Sequence, residues 1–359
     1  MNTPNYPENN SEENLNSSEQ NSPQENKSDS LAEKESFDAS IQEDDIQYIS
    51  TIYERTRTEI QKIIIGNDNQ IMLILAALFS GGHILLEGVP GVAKTLMAKL
   101  IAQCMNIEFK RIQFTPDLLP SDLLGVNLFN MQKTEFVFKK GPIFSNLILI
   151  DEINRSPAKT QAALFEAMEE KQITIDGETY LLAKPFFVIA TQNPIEQEGT
   201  YKLPEAQLDR FLLKLNIPYP NLTDEIAILH RFKEDFTQKT THSTQAILTA
   251  LDIEKCIAIV EKVHIKDELI NYIATIVNQT RNNADLFLGA SPRASLAILK
   301  TSKALAALQK RDYVTPDDIQ TVCYPVLCHR IILSPEKEME GVSMENIILE
   351  MIKNVEVPR

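Results

Sequence analysis

From Ile46 onward, short apolar runs alternate with longer stretches in which apolar side chains return every three or four positions. The runs are HILLEG (83–88), IEFKRIQF (107–114), LILIDE (147–152), FFVIAT (186–191) and FLLKLN (211–216). Runs of this length between helical periods predict a parallel sheet wrapped by helices, here with five strands. Between them KTLMAKLIAQC (94–104) and KTQAALFEAMEE (159–170) read as helices, the second with Ala163, Phe165 and Ala167 around its apolar side. Two segments break the alternation. NLFNMQKTEFVFKKGPIF (127–144) and KQITIDGETYLLAK (171–184) read as inserted β-hairpins, the latter turning at Asp176-Gly177. After residues 216–221 no strand is evident and the pattern turns helical. In LDIEKCIAIVEKV the apolar positions Ile253, Cys256, Ile257 and Val260 recur at helical spacing, and VTPDDIQ opens a helix with Thr315 as N-cap, Pro316 next and Asp317 and Asp318 in the first turn. The chain is thus expected to comprise a tail (1–45), an α/β domain (46–220) and an all-α lid domain (221–359).

Composition changes the picture mainly at the N-terminus. Of the 359 residues 43% are hydrophobic, enough for two cores. Residues 1–45, by contrast, carry 12 acidic and 2 basic side chains, so they hold −10 of the net charge of −15. With one valine-free, leucine-poor stretch of Asn, Ser, Glu and Pro, this tail is expected to be disordered and acidic. The charge balance argues against a dedicated nucleic-acid binder. No apolar run reaches the length of a membrane span and no basic-then-apolar leader opens the chain, so a cytoplasmic protein is expected. Cys104, Cys256, Cys323 and Cys328 sit in apolar segments without paired spacing and read as buried thiols, although Cys323, Cys328 and His329 together also admit a metal-ligand reading.

The chemistry gathers at strand ends. GVPGVAKT (88–95) lies between the first strand and a helix, the context of a phosphate-binding loop. Gly88, Val89, Pro90, Gly91, Val92 and Ala93 would turn backbone N–H groups toward a phosphate, Lys94 would reach the β/γ oxygens, and the Thr95 hydroxyl would sit on Mg²⁺. Ala93 stands where the usual pattern has glycine. It is expected to enter right-handed helical angles, leaving the left-handed bend to Gly91. LILIDE ends in Asp151, a candidate Mg²⁺ ligand, and Glu152, a candidate base that polarises the attacking water. FFVIATQNP brings Asn193 beside them to orient that water; Asn193-Pro194 also reads simply as a turn. Arg210 in EAQLDRF is either a surface ion-pair partner or a finger reaching a neighbouring subunit's γ-phosphate. In GASPRAS, Ser291 caps a helix and Pro292 opens it, so Arg293 falls in a first turn where the dipole disfavours a cation, which points to an anionic partner such as a nucleotide phosphate.

Together GVPGVAKT, LIDEINRSPAKTQAALFEAMEE, ATQNPIEQEGTYKLPEAQLDRF and YVTPDD resemble the AAA+ ATPases, specifically the MoxR family, over about residues 46 to 335. The resemblance implies a P-loop ATPase that uses ATP and Mg²⁺, with Lys94 and Thr95 as Walker A, Asp151 and Glu152 as Walker B, Asn193 as sensor 1, Arg210 as arginine finger and Arg293 as sensor 2. It implies an adenine contact at Ile65-Gly66, with Asn67 where glutamine is usual, and an alanine at the Ala93 position as a family variant. It also implies a ring of copies, hexameric by expectation, hairpins facing the pore, and chaperone-like work on client proteins, often ones containing von Willebrand factor A domains. Phe129, Phe136 and Phe138 either face that pore or fill a small core beneath the hairpin. Two other functions compete: a motor or loader acting on nucleic acid, which would show strong DNA stimulation, and a nucleotide-gated scaffold, in which Glu152→Gln would leave turnover unchanged.

Overall fold

The computed structural model describes residues 43–194, 200–233 and 244–358. The tail up to residue 42, and residues 195–199 of the motif that follows Asn193, lie outside the described residues. Helices α1 (Glu43–Gln61) and α2 (Asp68–Phe79) precede strand β1 (His83–Glu87), which runs through a loop into α3 (Lys94–Cys104). A two-residue strand β2 (Met105–Asn106), strand β3 (Phe109–Gln113) and a short helix α4 (Pro120–Leu124) lead to a hairpin of β4 (Gly125–Asn130) and β5 (Glu135–Lys140). Then follow β6 (Leu147–Asp151), α5 (Ala158–Glu170), a second hairpin of β7 (Gln172–Ile175) and β8 (Glu178–Leu181), β9 (Phe187–Gln192), α6 (Glu205–Leu208) and β10 (Phe211–Asn216). All five predicted strands of the sheet are present, and both predicted hairpins form.

The sheet is parallel throughout, in the order β10-β1-β9-β6-β3. The chain leaves β1 for the far edge at β3 and returns through β6 and β9, so the carboxyl ends of β1, β6 and β9 border the crevice where such sheets take ligands. Strand side chains alternate between two cores. Ile84, Leu86, Leu149, Ile189 and Leu213 join Ile71, Leu75 and Met97 on one face, while Leu85, Ile148, Ile150 and Val188 meet Leu164, Phe165 and Met168 on the other. Burial on both sides explains why these strands read as continuous apolar runs. In α5 the buried stripe is Leu164, Phe165, Ala167 and Met168, with Ala163 only half buried.

The helical region comprises α7 (Leu222–Phe232), α8 (Ala250–Lys262), α9 (Asp267–Arg281), α10 (Pro292–Leu308), α11 (Pro316–Leu327), α12 (Pro335–Met339) and α13 (Met344–Lys353). Three strands of two or three residues interrupt it, β11 (Leu248–Thr249), β12 (Leu286–Leu288) and β13 (Ile332–Leu333), each too short to show a period in sequence. The α11 start is as expected, with the Thr315 N–H donating to Asp318 at 2.8 Å. Helix α10 buries Ala304, Leu305 and Leu308 in the same core that holds α1 and α2, which seats the lid on the α/β body. Cys104, Cys256 and Cys323 are buried and Cys328 half buried; burial pushes all four thiols up to about 12.

Of the hairpin aromatics, one joins a small core and two stay exposed. Phe138 stacks on Tyr180 of the second hairpin with centroids 4.5 Å apart and meets Phe144 edge-on, making a small aromatic core. Phe129 and Phe136 pair across the first hairpin at 5.2 Å and remain exposed. The second hairpin turns at Asp176 and Gly177, φ 51° and 85°, the backbone of a type I′ turn. No helix among the described residues is long and apolar enough to cross a membrane.

Candidate active site

The loop after β1 wraps a cleft of about 400 Å³ lined by Gly91–Thr95, Asp151, Glu152, Thr191 and Asn193. Its backbone corrects one expectation. Gly91 is left-handed at φ 89°, as anticipated, but Ala93 is left-handed too, at φ 62° and ψ 23°, rather than already helical. For an L-residue this costs about 1–2 kcal/mol. The position stands as the N-cap of α3, where its carbonyl accepts the Met97 N–H at 2.8 Å, and the bend there belongs to the kind that turns successive N–H groups toward one anion. The Lys94 ammonium donates to the carbonyls of Gly88 and, at 2.9 Å, Val89.

The carboxyl ends of β6 and β9 supply the opposite wall. Thr95 Oγ1 donates to Asp151 Oδ1 at 2.9 Å, and Thr191 Oγ1 reaches the same oxygen at 3.2 Å. Asp151 is buried, and its second oxygen accepts Arg111 Nε from β3 at 2.6 Å. Glu152 is left-handed at φ 58°, with its N–H donating to Thr191 Oγ1 at 3.1 Å. Non-glycine strain of this sort, of order 1–3 kcal/mol, tends to sit where a side chain must be aimed. The Glu152 carboxylate accepts Gln113 Nε2 at 2.6 Å and pairs with Arg155 at 3.2 Å. Asn193 is buried and lines the same cleft, so its position exceeds what a surface turn requires.

On the other side of the loop lies an apolar cavity of about 310 Å³ that shares Gly91, Val92, Ala93 and Leu96 with the first. Ile65, Pro218, Ile228 and Phe232 form its walls, and Arg231 ties α7 to it by donating to the Ile63 carbonyl at 2.7 Å. Gly66 passes so close to Asp224 that an added Cβ would lie 2.5 Å from its carboxylate. Asn67 is left-handed at φ 60°, a conformation that Asn tolerates better than most residues.

Arg210 and Arg293 lie elsewhere. Arg210 precedes β10, whose first residue pairs with His83 at the start of β1, so it sits at the amino edge of the sheet. The loop follows Glu87 at the other end of β1, roughly 17 Å along the strand direction. There Arg210 Nε and Nη2 both meet Glu169 Oε2 at 2.7 Å, and Arg293 bonds the other oxygen of the same carboxylate. These hydrogen bonds, Arg210's foremost, hold the Glu169 carboxyl below its usual range.

Residues 83–213 match the family described as ATPase family associated with various cellular activities (AAA), and residues 278–351 match the AAA lid domain. The YeaC protein of Bacillus subtilis is 47% identical over 302 residues, covering 83% of this chain and 92% of its own. The protein named Chaperone MoxR1 of Mycobacterium tuberculosis is 41% identical over 315 residues, covering 85% and 82%. The chain belongs to the MoxR family of AAA+ ATPases. A crystal structure from Cytophaga hutchinsonii agrees with this fold, with a TM-score of 0.81 and 43% identity over 88% of this chain and 98% of that one. In this MoxR-family chain the matched ATPase segment, residues 83–213, spans the carboxyl edge just described.

Several residues of this candidate site escape a motif reading. Arg111 and Gln113 occupy alternate positions of β3 and reach Asp151 and Glu152 because Gln113 is in register with Asp151. Nothing in sequence set them apart, since the run IEFKRIQF also carries Glu108 and Lys110 between its apolar positions. Thr191 lies in β9 one residue short of the polar end, and Glu169 reads as one of two solvated acids closing a helix.

Proposed function

We propose that the chain binds ATP with Mg²⁺ in the carboxyl-edge cleft, hydrolyses it within a ring of its own copies, and uses the cycle to remodel client proteins. The observation that carries this reading is the two-compartment cleft. A polar half holds Lys94, Thr95, Asp151, Glu152 and Asn193, and an apolar half of about 310 Å³ behind the same loop suits a purine base. Thr95 Oγ1 and Asp151 Oδ1, hard oxygen donors 2.9 Å apart, fit Mg²⁺ chemically, directly or through water. The bound ion would neutralise charge on the phosphates. Lys94 and the loop N–H groups would hold the β/γ oxygens, Glu152 would polarise the attacking water, and Asn193 would orient it. The Gln113 contact to Glu152 supports a defined aim for that carboxylate.

Arg210 and Arg293, distant from their own loop, would complete the site of the adjoining copy. Their common location on Glu169 supports this, and it favours action in trans for both. The exposed Phe129–Phe136 pair is of the kind that grips unfolded segments, and the client class that the resemblance implies includes von Willebrand factor A domains. The test is direct. Purified chain should hydrolyse ATP only with a divalent cation, and Lys94→Ala should lose nucleotide binding by about a hundredfold or more in a fluorescent-nucleotide titration. Wild-type affinity in Lys94→Ala would refute the cradle.

A further inference from the structure

The amino edge of the sheet carries a junction built from three elements. The last turn of helix α5 supplies Glu169, the segment before β10 supplies Asp209 and Arg210, and α10 brings its N-cap Ser291 and, in its first turn, Arg293. Both charged partners sit where their own helices disfavour them. Glu169 is a carboxylate in the last turn of α5, at the negative end of its dipole, and Arg293 is a guanidinium in the first turn of α10, at the positive end. Each misfit is relieved by the other.

Backbones and heads are fixed separately. Ser291 Oγ donates to Asp209 Oδ2 at 2.9 Å, and buried Arg330 holds Asp209 Oδ1 at 2.8 Å while also donating to the Phe211 carbonyl at 2.5 Å. Asp209, one residue before Arg210, is thereby bonded to Ser291, which lies two residues before Arg293. The heads meet on Glu169, with Arg210 also lying over the Phe165 ring at 5.9 Å. Two guanidinium groups would otherwise repel, and a single carboxylate between them holds them side by side with one positive charge in excess.

We infer that Glu169 is a positioning residue that gathers Arg210 and Arg293 into one cationic fork, which a chain presents to the triphosphate bound by its neighbour. The inference rests on the shared-site reading above. Side-on engagement by Glu169 uses Nε and Nη2 of Arg210 but a single nitrogen of Arg293; Arg210 Nη1 makes a long 3.5 Å contact to the Ala206 carbonyl, and each terminal nitrogen carries two N–H groups, so donors on both side chains remain to reach a phosphate. A planar fork fixed in advance loses less freedom when it engages an anion.

The experiment mixes chains at a concentration where assembly is complete. Arg210→Ala serves as acceptor, with an intact cradle and no finger; Glu152→Gln serves as donor, with an intact finger and no turnover of its own. Recovered ATP hydrolysis in this mixture is expected, and its absence overturns the shared-site reading and the role of Glu169 with it. Replacing the donor by Glu152→Gln/Glu169→Gln is expected to lower recovery about tenfold, with the acceptor's KM for ATP unchanged. The same Glu169→Gln change placed in the acceptor should lower recovery far less, an asymmetry that general loosening of the fold would not produce. Recovery equal to that with the Glu152→Gln donor, or an equal loss from either chain, overturns the assignment of Glu169 while leaving the shared site standing.

Discussion

Ala93 carries a backbone conformation that glycine adopts freely and alanine does not, in a loop whose shape decides whether phosphate can be held. Restoring glycine there should relieve about 1 kcal/mol of local strain, partly offset by the greater freedom of the unfolded chain. Ala93→Gly is therefore expected to keep ATP affinity. A β-branched residue is a genuine outlier at positive φ, so Ala93→Val should weaken binding by about tenfold or more in the same titration. Equal affinity for all three would show that the loop does not keep this bend when loaded. Glu152→Gln keeps the shape of the side chain and its Gln113 neighbour but cannot accept a proton. It should bind ATP normally and lose turnover by about 10²–10⁴-fold, measured as phosphate release; undiminished release would favour a scaffold without a catalytic base. Asp151 and Glu152, which alone would read as a solvated strand end, were legible because they follow a phosphate-loop pattern earlier in the same sheet. The Ala93 backbone was not, because a side chain names its preferred angles and not the ones its surroundings impose.

At the level of elements, the central strands β1, β6 and β9 were readable since each is buried on both faces and keeps its apolar run intact, while the edge strands β3 and β10 carry polar residues within theirs. The hairpins were readable from the Asp176-Gly177 turn and from alternation. What escaped were contacts made by polar residues across elements, such as Arg111 with Asp151, which depend on register between strands distant in sequence. The lid contact belongs to the same class. Arg330, 6% exposed, pairs with Asp209 and donates to the carbonyls of Leu212 and Val326 as well. Burial lowers its pKa and the Asp209 hydrogen bond raises it back in part. Removing such a buried charge leaves Asp209 and several carbonyls without their donor, so Arg330→Met should cost about 3–5 kcal/mol and lower the thermal unfolding midpoint. An unchanged midpoint would mean that the lid holds to the sheet by its apolar core alone. Nothing in the sequence distinguished this arginine from the solvent-facing ones, since its burial arises only when α11 meets the start of β10.

For the whole molecule, the separation between the cradle and the Arg210–Arg293 pair decides the expected kinetics. Hydrolysis per chain should rise with protein concentration as copies assemble, and Arg210→Ala should keep ATP affinity while losing turnover by about 10³-fold or more. Turnover independent of concentration, down to where sedimentation shows only monomers, would contradict the shared site. In such a ring the strand β10 would separate what a copy holds from what it lends. A copy with a damaged finger would then load fuel correctly and still stall the seat beside it. When intact and damaged chains are made together, the loss should therefore exceed the fraction of damaged chains.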